Sequence, residues 1–246
     1  MSKTLITITG NYTLSHYSNW IECESTWVPK LREKGFDVLY LMSNPHLDKD
    51  YELKGNFFFS NCSDDLDQIY YKNHHYISQY VLNETDYDYR FQIDSDTFVH
   101  PERFIKLIED HTLTNPKDYV GCVIPYPGFN TNNLVQQYID TPGHYASGGS
   151  GFLVSRKSMG YMVEDFDPIT YPYLNFCDKI TGEILYKRDI LLFHDSRILF
   201  ESPYKRTISD PHNIGTPFIG EMDSFLALQH YCDGHMKEIM DKLQLW

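Results

Sequence analysis

Apolar residues recur along the chain in two rhythms, and the switches between them predict alternating strands and helices. Thr4 to Thr9 is a β-branched run that ends at Gly10-Asn11, which predicts a strand and a turn. From Asn19 to Lys34, Trp20, Ile21, Trp27, Val28 and Leu31 keep helical spacing, and Gly35 supplies the stop. Phe36 to Met42 predicts the next strand, closed by Ser43-Asn44-Pro45, and Phe57 to Phe59 a short third one. Asp64 or Asp65 then caps a helix with Leu66, Ile69, Tyr70, Tyr76, Ile77, Tyr80 and Val81 on one face. Tyr89 to Ile93 predicts a strand, Pro101 the first position of a helix through Ile108, and Tyr119 to Ile124 another strand. The polar loop that follows, Pro125 to about Tyr145, is longer than compact domains usually carry. Gly151 to Ser155 is strand-like and Ser158 to Phe166 helical. Asp189 opens a further apolar-periodic stretch, and Asp223 to Leu243 reads as helix interrupted near Asp233-Gly234.

Strands alternating with helices predict an α/β fold: one domain with a mixed, mostly parallel central sheet flanked by helices. No internal repeat, low-complexity tract or linker divides the 246 residues. In such sheets ligands sit at the carboxyl ends of strands. Thr9 and Asn11, where the first strand ends, and Asp94 to Asp96, where the fourth ends, are therefore candidates for ligand binding.

Composition narrows the partners. With 41% hydrophobic and 22% charged residues, the chain can bury a core. A net charge of -13 disfavours nucleic acid and anionic membranes, yet leaves room for an anionic substrate bridged by a divalent cation. The 20 Tyr and 15 Phe first read as core packing, and second as stacking platforms for a base or sugar ring. Five cysteines, an odd count without metal-ligand spacing, argue against a disulfide framework and a zinc site. No signal-peptide pattern or membrane-length apolar run is visible, so a soluble, cytoplasmic chain is expected, unless it is a domain of a larger protein. The oligomeric state is not legible.

Three stretches carry chemistry. Phe91-Gln92-Ile93-Asp94-Ser95-Asp96-Thr97 leads an apolar strand into two carboxylates one residue apart. Hard oxygen ligands of this kind suit Mn²⁺ or Mg²⁺ and leave coordination positions for diphosphate oxygens; the bland alternative is a capped, solvated turn. Tyr145-Ala146-Ser147-Gly148-Gly149-Ser150-Gly151-Phe152 allows a ligand close to the backbone, but without a following Lys-Ser/Thr it is not a P-loop. Arg188-Asp189-Ile190 offers either a helix-capping acid or a general base. Among eleven histidines, His194, His212 and His230 are the site candidates.

Together these stretches resemble glycosyltransferase family 31, the inverting enzymes that include Fringe-like and β1,3-galactosyl- and N-acetylglucosaminyltransferases. Asp94-Ser95-Asp96-Thr97-Phe98-Val99 is similar to the family's acidic metal triplet, with Ser95 in the central place, and Ser147-Gly148-Gly149-Ser150-Gly151-Phe152 to its glycine loop. The resemblance implies a GT-A fold, with a nucleotide-sugar-binding half over about 1–100 and an acceptor half over about 101–246. It implies a Mn²⁺ cofactor (Mg²⁺ as the substitute) held by Asp94, Asp96 and His212. A UDP-sugar donor would be bound by Thr9, Asn11, Lys72, Asp94, Ser95, Asp96, Gly148 and Gly149. Asp189 would be the catalytic base, although Arg188 replaces the family's preceding acid. Transfer of galactose or N-acetylglucosamine to a glycan hydroxyl is expected. Ser25-Thr26-Trp27 is similar to a Thr-Trp pair on the family's first helix. The alternatives are a retaining GT-A enzyme, because Phe193-His194-Asp195-Ser196 resembles a segment of the blood-group-type transferases, and a non-catalytic nucleotide- or sugar-binding module.

Overall fold

The computed structural model describes residues 2–11, 14–124, 136–172, 176–199, 228–229 and 236–243. Strand β1 (Thr4–Thr9) leads to helices α1 (Leu14–Ser25) and α2 (Val28–Glu33), then to β2 (Asp37–Ser43). The single helix expected over Asn19 to Lys34 is thus two. Pro29 sits in the first turn of α2, where it has no amide to lose; inside a continuous helix it would remove a hydrogen bond. The Thr26 hydroxyl donates to the Glu22 carbonyl and closes the end of α1 (2.6 Å). Strands β3 (Tyr51–Lys54) and β4 (Phe57–Ser60) follow, the former too short and polar to be read in advance.

A wider π turn, Tyr71–His75, leads into α3 (Tyr76–Glu84), and then come β5 (Tyr89–Asp94), β6 (Phe98–Val99) and α4 (Pro101–Glu109). The π turn buries three successive side chains, Lys72, Asn73 and His74. Turns of this kind gather at functional sites. The remaining elements are β7 (Tyr119–Gly121), β8 (Gln136–Ile139), β9 (Phe152–Ser155), α5 (Arg156–Glu164), α6 (Cys177–Lys187), β10 (Leu192–Asp195), β11 (Ile198–Leu199), β12 (Leu228–Gln229) and α7 (Met236–Leu243).

The main sheet has nine strands in the order β3-β4-β2-β1-β5-β9-β7-β10-β8, and β11-β12-β6 form a small second sheet. Strands β4, β2, β1, β5, β7 and β10 point one way, and β3, β9 and β8 run against them. Both faces are covered. Ile6 and Ile8 of β1 pack with Trp27, Leu31, Phe104 and Met240 on one side, while Leu5 packs with Ile77, Val81, Met159 and Leu185 on the other. Because both faces are buried, β2 reads as a nearly unbroken apolar run, Val38 to Met42, whereas β5 carries Arg90 and Gln92 buried between apolar residues. The carboxyl ends of β1, β5 and β10 share one edge of the sheet, and Thr9 pairs with Asp94 there. Among the described residues, no helix is long and apolar enough to cross a membrane.

Candidate active site

At that edge β5 runs out into a tight turn, in which the Thr97 amide donates to the Asp94 carbonyl (3.1 Å) and the Ser95 amide to the Thr9 carbonyl (3.1 Å). Ser95 and Thr97 are fully buried, whereas Asp94 and Asp96 are only half-buried. The alternation sends the hydroxyls into the protein and leaves the two carboxylates partly accessible, with Oδ1 of Asp96 itself buried. A pair of hard oxygen donors at a strand end fits a divalent cation. The third expected ligand, His212, lies outside the described residues.

The glycine loop is tied to this turn. The Asp94 amide (3.2 Å) and the Thr97 hydroxyl (2.7 Å) both donate to the Gly149 carbonyl. Gly151 adopts φ +102°, and a Cβ there would lie 2.5 Å from Ile93 and Phe91, so only glycine lets the loop lie flat on β5. Gly148 is needed for a different reason: a Cβ on it would overlap the carboxylate of Asp178.

Asp178 was not foreseen. It lies in the first turn of α6, where the helix dipole favours negative charge, and its Oδ2 accepts the Gly148 amide (2.8 Å). The Cys177 thiol beside it is pushed well up, first by burial, then by the charges of Asp178 and Asp94, so both carboxylates lie within electrostatic reach of one sulfur. The turn at Asp94–Thr97, the loop at Ser147–Gly151 and the start of α6 therefore form one constellation. The available signal was Cys177-Asp178 followed by Ile180, Ile184 and Leu185 at helical spacing.

Asp189 does not join them. It holds φ +57°, the one positive φ outside glycine among the described residues. Its amide donates to the Tyr186 carbonyl and that of Ile190 to the Leu185 carbonyl, while Ile190 and Leu185 pack together in the core. That is the hydrogen-bond pattern of a Schellman cap, with Asp189 at the left-handed position ending α6. The strand registers place Phe193 level with Phe91. Asp189 thus lies toward the opposite end of the strands, roughly 23 Å from Asp94 along the strand direction alone at about 3.3 Å per residue. Its apolar sequel is not a helix but β10, a buried strand whose periodicity is ambiguous. Asp189→Gly is expected to stabilise the fold by about 0.5–1 kcal/mol, the relief of the left-handed backbone less glycine's larger entropy loss, read as a higher Tm. A fall in Tm would argue against a pure capping role.

Lys72 reaches the same edge but is spoken for. Its ammonium donates to the Gly10 carbonyl (2.8 Å) and to Asp64 (2.8 Å), bracing the β1 loop that carries Asn11. Of the histidines, His194 is buried at the end of β10 and accepts the Val123 amide through Nδ1 (3.2 Å). The neighbouring Asp195 is buried as well. Burial alone would raise its pKa, but hydrogen bonds from His111 and Arg197 hold the carboxyl far below its usual range. Both oxygens are taken, by His111, Gln136 and Arg197.

Comparison with known proteins bears on the family and the fold. A family model described as Fringe-like matches residues 21–182, about two thirds of the chain. The matched stretch includes the Asp94 turn, the glycine loop and Asp178, and ends before Asp189. No curated protein matches the chain. Among solved structures, the galactosyltransferase LgtC in complex with donor and acceptor sugar analogues aligns over 98% of this chain and 95% of its own, with 12% identity and a TM-score of 0.51. An active-site mutant of LgtC gives 11% identity, the same coverage and a TM-score of 0.51. A glycosyltransferase involved in glycosylation of the major capsid of PBCV-1 covers 99% of both chains at 13% identity, with a TM-score of 0.49. The fold is that of the GT-A glycosyltransferases.

Proposed function

The chain belongs to the Fringe-like family of glycosyltransferases, and from that premise we propose that it is an inverting, metal-dependent enzyme that moves a sugar from a UDP-sugar to a glycan hydroxyl. The observation that carries this reading is the meeting, across one glycine loop, of a carboxylate pair and a separate carboxylate. Asp94 and Asp96 would hold Mn²⁺ or Mg²⁺, with His212 as a further candidate ligand. When bound, such a cation neutralises charge on a leaving diphosphate. Thr9 and Asn11 would contribute to the donor side of the edge through the end of β1 and the loop after it, Ser95 would support the turn from inside, and Lys72 would act by fixing the loop after β1.

Asp178 is the candidate base in place of Asp189. The Gly148 amide pins one oxygen and so sets the plane of the carboxylate. The positive end of α6 favours its charge, and the hydroxyl of an acceptor would give its proton to Asp178 as it attacks. The oxygen leaves with the UDP, the new glycosidic bond forms on the opposite face, and the anomeric configuration inverts. Holding donor, acceptor and base on one rigid sheet edge supplies rate through proximity. A retaining route through Asp195 is disfavoured because its oxygens are saturated, and Ser196 stands where the resembling enzymes carry an acid.

Donor choice is testable by thermal shift with UDP-galactose, UDP-N-acetylglucosamine, UDP-glucose, UDP-xylose and GDP-sugars, with and without Mn²⁺. A UDP-sugar, galactose or N-acetylglucosamine first, should raise Tm by roughly 5–10 °C at 100 times its Kd, and only with the metal. A flat response to every donor would overturn the proposal.

A further inference from the structure

Directly under the glycine loop lies a polar cluster that the steps above leave unused. Arg90 of β5 is fully buried. Its guanidinium donates to the Asn73 carbonyl (2.6 Å), to Gln92 Oε1 (3.2 Å) and to Nδ1 of His74 (3.3 Å). A guanidinium has only donors, so Nδ1 must accept, and the ring proton of a neutral His74 is left on Nε2. Burial, and then the Arg90 charge, push the imidazole well below its ordinary range, so His74 is neutral. Burial also pushes Arg90 down, to about 9, which leaves it charged at neutral pH. The His74 Nε2 atom is buried without a hydrogen-bond partner and stands 3.9 Å from Asp178 Oδ1.

Two uses of this atom compete. His74, Cys177 and Asp178 offer ligand atoms within 4.8 Å of one another, which would suit a small metal ion. A metal, however, needs the Nε2 lone pair. With Nδ1 already accepting from Arg90, the ring would have to give up its last proton beside a guanidinium. The Cys177 thiol is also already a donor to Asp178 Oδ1 (3.4 Å), and a metal would have to displace that proton. Donation from Nε2 meets neither obstacle.

We propose that His74 is a positioning residue for the base, its tautomer set by Arg90 so that Nε2–H points at Asp178 Oδ1 while the Gly148 amide holds Oδ2. The carboxylate is thereby gripped at both oxygens and aimed at the acceptor. At 3.9 Å the contact is not yet a hydrogen bond. Such contacts tighten when substrate seats. The π turn at Tyr71–His75 serves this arrangement, because it turns His74 inward beside Lys72 and Asn73. The inference rests on Asp178 being the base.

The test measures kcat, donor KM and Tm of the full chain carrying His74→Phe, His74→Gln or His74→Asn. His74→Phe is expected to lower kcat by roughly 10–100-fold, the size usual for groups that orient a reacting ligand, with donor KM unchanged. Gln, whose side-chain N–H reaches the Nε2 position, should restore most of the rate; Asn, which reaches only the Nδ1 position, should not. In an Asp178→Asn background, His74→Phe should cost nothing further. Long-range ¹⁵N–¹H spectra of histidine-labelled wild-type protein should show His74 as the neutral Nε2–H form, and Arg90→Met should mix the tautomers. Three results would overturn the proposal: an Nδ1–H spectrum, Gln no better than Asn at matched Tm, or stoichiometric Zn²⁺ uptake that His74→Phe abolishes. Undiminished transfer by Asp178→Asn alone is a separate result, and it would remove the base assignment first.

Discussion

Asp178→Asn should reduce sugar transfer by about 10²–10⁴-fold, the usual contribution of a positioned general base, while leaving UDP-sugar binding within about twofold. The amide keeps the shape of the carboxylate and an oxygen for the Gly148 amide to bond (2.8 Å in the native chain), so the loop should stay in place. It cannot take a proton from an attacking hydroxyl. The loss should therefore fall on kcat, and the thermal response to donor plus Mn²⁺ should persist. Steady-state assays of UDP release with a saturating acceptor read this directly. Asp189→Asn is the control: it sits in the cap of α6 and should keep near-native kcat. If the two variants behaved the other way round, the strand registers would be misread and Asp189 would regain its place.

The second large effect is expected at the turn. Asp96→Ala should remove metal-stimulated transfer and hydrolysis by about 10³-fold or more, several kcal/mol of charge stabilisation, and Asp94→Ala should do the same. Neither should unfold the protein. What holds the turn is backbone and buried hydroxyl: the Thr97 amide on the Asp94 carbonyl, the Thr97 hydroxyl on the Gly149 carbonyl, and the Ser95 amide on the Thr9 carbonyl. Stripping the wild type with a chelator should copy the phenotype, and added Mn²⁺ should rescue the wild type but not the variants. An Asp96→Ala protein that still bound UDP-sugar in a Mn²⁺-dependent way would remove that residue from the ligand set.

Much of this was legible in the residues. The β-branched run at Thr4–Thr9, the strand leading into Asp94, and Pro101 opening a helix all carry local signals that the fold kept. The glycine loop was also visible, because three glycines before an apolar strand announce a close approach of backbones. The helix bearing Asp178 was missed. Its N-cap position holds Phe176, which offers no capping side chain, and its apolar face, Ile180, Ile184 and Leu185, is short. The place of Asp189, in the cap of α6, was not legible for a related reason. Its local pattern, an acid before apolar residues, fits a helix start, a helix end before a buried strand, or a family motif equally well.

By itself, then, the chain's order of residues determined which segments could be strands, where the carboxylate pair would emerge, and which kind of metal such a pair prefers. Those properties depend on neighbours a few positions away: side-chain alternation, turn chemistry, the hardness of oxygen ligands. Only the tertiary structure decided which acid lies against the glycine loop. The choice between Asp178 and Asp189 turns on strand order and register, and these are set by burial on both faces of a nine-stranded sheet. It also decided that His74, mid-segment and unremarkable in the sequence, is clamped by Arg90 from a strand sixteen residues away. No local rule contains that contact, because its cause is the exclusion of water from two polar groups that can satisfy each other only when the sheet and helix close over them.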